Sequence, residues 1–512
     1  MKKDVSTVLW KLFLAVYAIV LVAVLVLCVM ETQERVPANL MTWYPFAGIL
    51  AITIMAFIGI KIEPILEKYE KYLLLIFFAV YVIVTVRFTL HSRSNPTNDS
   101  ASLVNGAYYI AGLTENMEWE YFARWSNNVM PMIFLGIVFR IAALVGISDV
   151  YYLALALNIL QVVVTLYCTF QLCKRYSKHG VVAGWLGMGM MAIYVPIWGH
   201  TQSLYTDAFS FGLGIIAFYI WLCNYEKRKS GWKYWAVNIA AGFIWSIGYQ
   251  IKATVVISMF AVILYLVLYS NWKVLFKNLV CLLAPLLLIG VICSNYKKTL
   301  PTMEHQDTWA YPVIEYFIGL GLEADGSFRL DSEFFLTLGS IWGMDEKKAY
   351  AMEFIIENID QLWNVEHVVA KLRHNFASGK MKADDFMQDC DSHGFLYNCI
   401  SHQGEYRRTY RTYVTAYWYM LLEFIVIACV LRGSTLKENS EKENPAVFVP
   451  IVSVCGIMLY VMLFEANNRQ LYNHIPMFFA SASIGIWSLQ NKLELFIFKL
   501  KEKTEAKRIS AE

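Results

Sequence analysis

Apolar residues in this chain fall in long blocks rather than at amphipathic spacing. Residues 8–30 (VLWKLFLAVYAIVLVAVLVLCVM) carry one Lys near the start and then no charge. About 20 apolar residues cross the ~30 Å hydrocarbon layer as a helix, which satisfies its own backbone. The run exceeds a signal-peptide core and no small-residue cleavage site follows it, so it reads as a retained anchor. Further blocks predict spans near 41–61, 72–90, 129–147, 151–173, 180–198, 205–224, 233–250, 252–270, 275–294, 412–432, 446–464 and 473–490. The pattern predicts an all-α polytopic membrane protein with about 12–13 transmembrane helices.

Composition agrees with this. Of 512 residues, 58% are hydrophobic and only 16% charged, against about 25% charged in a soluble domain; mean hydropathy is +0.47. Aromatics at 15% suit interfacial belts of Trp and Tyr. The net charge of +3 says little about partners, because the positives cluster beside helix ends. No nucleic-acid motif or basic domain is present, which argues against a nucleic-acid partner. Eight of the ten cysteines fall in predicted spans, where Cys is a small hydrophobe. Cys390 and Cys399 stand in the one large polar segment, where an extracytoplasmic setting permits a disulfide. No CxxC pair points to zinc.

Positive-inside reasoning orients the loops. The Lys-rich KIEPILEKYEK (61–71) reads as cytoplasmic, which makes 91–128 an outer loop. Counting back from the basic tail (NKLELFIFKLKEKTEAKR) puts 295–411 outside and KRYSKH (174–179) inside. The two counts disagree across 129–173. The favoured resolution is that 129–150, with Pro131, Arg140 and Gly146, makes no simple crossing, as a cavity-lining segment can do. In the outer segment 295–411, residues 345–378 show helical spacing, which predicts a mainly α-helical cap. No internal repeat is evident, which weighs against repeat-built transporter folds.

Under this orientation, ionisable residues from four distant places collect at the outer membrane edge, where charge is expensive and therefore a candidate for function. The first group is the HSRSNPTNDS loop with Arg93 and Asp99, followed by YFARWSNN with Tyr121. The others are SLYTD with Tyr205 and Asp207, YQIKAT with Lys252, and EANNRQLY with Glu465, Arg469 and Tyr472. Each has an ordinary structural reading. Asp99 and Asp207 could cap helices, Lys252 could snorkel to the interface, and Glu465 with Arg469 could be a helical ion pair. Together they supply what transfer of a phosphate-linked sugar requires: a carboxylate to deprotonate an acceptor hydroxyl and cations to stabilise the departing phosphate.

The order TNDS, YFARWSNN, LYTD, YQIKAT, EANNRQLYNHIP resembles the polytopic glycosyltransferases of the GT-C superfamily. Relatives include protein O-mannosyltransferases, the aminoarabinose transferase of lipid A and bacterial wall-polymer enzymes. The resemblance implies inverting transfer from a polyprenyl-phosphate-sugar donor to an extracytoplasmic glycopolymer, glycolipid or protein, on the outer face of a bacterial plasma membrane. It makes Asp99 the catalytic base and Asp207 a second, positioning acid. Lys252 and Arg469, with Arg93, would hold the carrier phosphate. Tyr121, Tyr205 and Tyr472 would face the sugar, and Glu465 belongs to the same substrate-binding turn. Asp99 lacks an acidic neighbour, so no metal or other cofactor is expected. The implied organisation is an added N-terminal hairpin (1–66), a transmembrane core (67–294) with its outer loop (91–128), a helical domain (295–411) and C-terminal helices with a cytoplasmic tail (412–512). The alternative is a transporter or flippase of a lipid-linked intermediate.

Overall fold

The computed structural model describes residues 2–32, 38–227, 231–301, 309–435 and 443–509. The expected loops after the first span, at 225–233 and at 433–445 therefore lie partly outside the described residues, as do 302–308 of the polar segment. The described chain is helical, with one isolated bridge (Ser94 with Cys390) in place of any strand. Among the described residues eight helices, rather than the expected 12–13, are long and apolar enough to cross a membrane, so the protein is a polytopic α-helical membrane protein. Two shorter apolar helices, Gly180–Ala192 and Ala253–Tyr269, lie among them.

Charged contacts define the two ends of the bundle. Helix α6 (Val150–Cys173; α1–α5 are Lys2–Thr32, Ala38–His91, Asn98–Ile110, Trp119–Arg124 and Val129–Leu144) has 24 residues, about 36 Å at 1.5 Å per residue. Asp149, just before it, pairs with Arg93 at 3.1 Å; Lys174, just after it, pairs with Glu70 at 2.7 Å. We call these the upper and lower ends.

The two spans expected at 41–61 and 72–90 form one continuous helical stretch, α2, with no intervening loop. Straight, its 54 residues would run about 81 Å. Its centre lies at the lower end, where Glu63 meets His179 and Glu70 meets Lys174. Both of its ends lie at the upper end. Phe88 packs on Phe395, and Gly48 abuts Met420 in a groove that also holds Tyr44 and Arg408. The stretch therefore folds back on itself beside Pro64, which lacks the N–H that would continue the ladder. The expected boundary at residue 66 falls at this fold.

Helix α5, the expected span at 129–147, has both ends at the upper end. Asn128 before it bonds Tyr121, and Asp149 after it pairs with Arg93. It packs along α3, where a Cβ on Gly136 would sit 2.6 Å from Ile110. The disagreement in the loop count across 129–173 disappears, because α5 does not run between the two ends.

The remaining bundle helices are α7 (Gly180–Ala192), α8 (Val195–His200), α9 (Thr206–Ser210), α10 (Leu213–Glu226), α11 (Gly231–Ile251), α12 (Ile257–Tyr269) and α13 (Trp272–Lys297). The polar segment follows with α14 (Val313–Leu322), α15 (Glu333–Ser340), α16 (Met344–Asn358), α17 (Val365–Phe376) and α18 (Phe395–Ile400). It has a small aromatic core of its own, including Tyr311, Tyr316 and Phe334. The helix expected over 345–378 is two helices, α16 and α17, broken at Ile359–Trp363. Cys390 and Cys399 are free thiols, so the permitted disulfide is not formed. The bundle closes with α19 (Arg407–Thr435), α20 (Pro445–Leu463) and α21 (Ile475–Ile509). Trp418 of α19 donates to Phe376 O at 2.9 Å, which ties the polar segment to the bundle.

Close helix approach rests on small residues, as membrane interfaces favour. A Cβ on Gly485 of α21 would lie 1.8 Å from Phe424 O of α19, whereas at Gly433 the nearest atom is 4.0 Å away. Gly485→Leu should cost at least about 1–3 kcal/mol through overpacking, and Gly433→Ala should be neutral. Thermal unfolding of the two variants in the same detergent tests the difference.

Candidate functional site

The site forms where the upper ends of α3, α9, α11 and the 468–474 turn converge. Asp99 lies in the first turn of α3. Asn98, just before it, adopts a left-handed backbone (φ 48°), and the Thr97 N–H donates to Ser100 Oγ at 3.0 Å. Ser100 thus closes this helix start, and the Asp99 carboxylate is left exposed without a capping bond. Its bond comes from Tyr205, whose hydroxyl donates to Asp99 Oδ2 at 3.3 Å.

Asp207 is fully buried. Lys252, in the turn between α11 and α12, donates to Asp207 Oδ1, and Arg469 Nε lies 3.2 Å from Oδ2. Neither cation takes the ordinary role open to it. Lys252 is 10% exposed in its side chain and is pinned to an acid rather than snorkelling. Arg469 pairs with Asp207 across the fold rather than with Glu465 four positions back. The Arg469 guanidinium also stands 5.0 Å above the Tyr205 ring and 5.9 Å from Phe386. A continuous path therefore runs from Asp99 through Tyr205 and Arg469 to Asp207 and Lys252. Asp207 holds the pH-independent charge of Arg469, whose guanidinium the carboxylate and the Tyr205 ring keep firmly protonated against burial.

The other expected residues fall in three positions. Tyr121 belongs to the cluster: its hydroxyl accepts from Asn128 Nδ2 at 2.7 Å, and burial with Tyr205 and Asp99 nearby keeps the phenol protonated. Glu465 lies buried at its edge, bonded by Asn467 Nδ2 at 3.2 Å; burial pushes its carboxyl up, opposed by Lys382 and Arg469. Tyr472 is only 1% exposed and stacks on His200 at 3.8 Å, so it is a wall behind the site with no face open to a sugar. Arg93 is held elsewhere, on Asp149 and over the rings of Tyr151 and Tyr152 at 4.6 and 4.9 Å. It steadies the start of α6 and does not join Lys252 and Arg469.

Sequence reading missed the segment 380–386. Met381 and Lys382 are consecutive non-glycine residues with positive φ (53° and 49°), a backbone that costs about 1–3 kcal/mol each and persists only where neighbours enforce it. Here Met381 is buried and its carbonyl accepts from His200 Nε2 at 2.8 Å. Burial lowers His200 to about 4, so it donates as a neutral imidazole. Phe386 completes the segment beneath Arg469. No composition or spacing signal marks these residues, because their backbone strain exists only in the fold.

Asp384, Asp385 and His402 offer oxygen and nitrogen atoms within 4.8 Å of one another, a spacing that could hold a metal ion. Lys380 already neutralises Asp384 at 2.8 Å. Comparison of the chain with protein-family models, with curated proteins and with solved structures gives no match. Fold and site together define a polytopic membrane protein with a charged cluster at one end of its bundle.

Two expectations follow. Asp207→Asn leaves two buried cations uncompensated and should cost about 3–5 kcal/mol; adding Lys252→Met should recover part of that loss in thermal unfolding. The second concerns Lys371, whose ammonium donates to Gly321 O at 2.7 Å and Phe464 O at 2.8 Å beside Glu465. Burial pushes it from 10.5 down to about 7, with Glu465 partly opposing. The unfolded chain binds this proton more readily, so stability should rise with pH from about 7 to 10.5 and gain nothing from this group below that window. Lys371→Met should flatten that slope in unfolding measured across the same range.

Proposed function

We propose that the protein is an inverting glycosyltransferase that moves a sugar from a polyprenyl-phosphate carrier to an extracytoplasmic acceptor, in the manner of the GT-C enzymes its motifs resemble. The observation that carries this reading is an exposed carboxylate, Asp99, set one tyrosine ring away from a pair of cations fixed by a buried acid.

The chemistry divides between these groups. Asp99 takes the proton of the acceptor hydroxyl as its oxygen attacks the anomeric carbon, and the bond from that carbon to the phosphate oxygen breaks. The carrier phosphate leaves with one more negative charge, which Lys252 and Arg469 stabilise. A phosphate leaving group has a low pKa and needs no proton donor. Asp207 is a positioning residue in this scheme: with its carboxylate between both cations, it sets their orientation and is not placed to take a proton. Tyr205 orients the Asp99 carboxylate, Tyr121 stands beside it, and Glu465 lines the far edge. The polar segment over the upper end selects the acceptor. The site faces the outside of a bacterial plasma membrane, and no cofactor enters the scheme.

Purified protein in nanodiscs, given a panel of labelled polyprenyl-phosphate sugars, should release polyprenyl phosphate. Asp99→Asn should slow transfer by about 10²-fold or more while leaving donor binding intact, as expected for loss of a general base. Full activity in Asp99→Asn would refute the assigned base. No turnover with any donor, alongside unchanged binding, would refute the enzyme reading in favour of a transporter.

A further inference from the structure

A groove of 590 Å³ lies between the first arm of α2 and the upper half of α19, away from the Asp99 cluster. Its α19 wall is one continuous helix face, starting at Arg408 and ending at Met420. The twelve steps from Arg408 to Met420, at 1.5 Å each, give a trough about 18 Å long, close to half of a ~30 Å hydrocarbon core. The opposite wall is sparse. Tyr44 is 48% exposed, and Gly48, lacking a side chain, lets the helices close on Met420 at the deep end.

The two ends of the trough differ chemically. Its floor is apolar: the hydroxyls of Tyr413 and Tyr417 are spent on Ile193 O and Met190 O (3.1 and 2.8 Å), which leaves their rings to line the groove. Its mouth is cationic and hydroxylated. Arg408 is exposed and has no acidic partner among the described residues, and Thr409 and Thr412 stand beside it. All three belong to the first turns of α19, where the helix dipole also favours an anion. Among the described residues no acidic side chain lines the groove.

We propose that this groove binds an anionic phospholipid of the upper leaflet, with its phosphodiester on Arg408 and one acyl chain along α19. Length, polarity and charge agree on this occupant. The trough matches one leaflet, its floor offers only dispersion contacts, and its mouth offers the planar donor array that guanidinium presents to phosphate. The site is separate from the charged cluster of the proposed transferase and does not depend on that reading. Its role is to brace the α2 fold against α19, where Gly48 already abuts Met420.

The test uses the full chain reconstituted in vesicles of mixed phosphatidylcholine and phosphatidylglycerol, extracted mildly and weighed by native mass spectrometry. Wild type should retain phosphatidylglycerol over phosphatidylcholine by about tenfold, because both offer a phosphodiester but the choline cation of the second is repelled by Arg408. Arg408→Gln, a change at an exposed position that spares the fold, should abolish the preference. Ala416→Phe, which fills the trough, should remove retention of both lipids. Soluble glycerol 3-phosphate should not displace the lipid. An unchanged preference in Arg408→Gln would overturn the proposal. So would displacement by glycerol 3-phosphate, which would leave a bare anion site, or retention of polyprenyl phosphate in place of phosphatidylglycerol.

Discussion

The buried carboxylate of Asp207 is the constraint on which the upper end of the bundle depends. Taking an isolated charge out of water costs several kcal/mol even after relaxation, and here three charges are removed together. They come from α9, from the turn after α11 and from the turn before α21. None could be buried alone, so each fixes the other two. The triad carries one net positive charge and presents it toward Tyr205 and Asp99 rather than toward lipid.

Around this triad the fold spends structural strain where the site needs precision. Met381 and Lys382 hold left-handed backbone, and the Met381 carbonyl accepts from Nε2 of His200, itself stacked on Tyr472. Lys371 performs a similar task on the other side. It bonds two carbonyls, one in the polar segment and one next to Glu465, and so couples the covering segment to the turn that carries Arg469. Both devices place main chain rather than reacting groups, which is why neither residue would stand out by its type.

The bundle beneath is tied at its polar lower end by charged pairs, and Glu423 stands midway along α19. Glu63 and Glu70 at the fold of α2 find His179 and Lys174, and Arg432 finds Glu443. Such pairs pin helix ends at the lower face. The interior is held by aromatic contacts and by glycines such as Gly485, whose missing Cβ admits a neighbouring backbone.

Hydrophobic blocks of about 20 residues determine a membrane helix wherever they occur, because an unpaired backbone cannot survive in lipid. The polytopic membrane class was therefore legible in the sequence, as was the irregularity of 129–150, whereas the two spans expected at 41–61 and 72–90 form one helical stretch and the short helices at the upper end carried no such signal. The grouping of Asp99, Tyr205, Asp207, Lys252 and Arg469 was legible too, since charges at a membrane edge are costly enough to be conspicuous. What only the tertiary structure decided was their pairing. Asp207 meets two cations, Arg93 is drawn off to Asp149, Tyr472 is sealed behind His200, and the 380–386 segment enters the site. Periodicity reports which residues share a helix face. Which faces meet is settled by long-range packing and by the partners that buried charges find, and local sequence does not encode that.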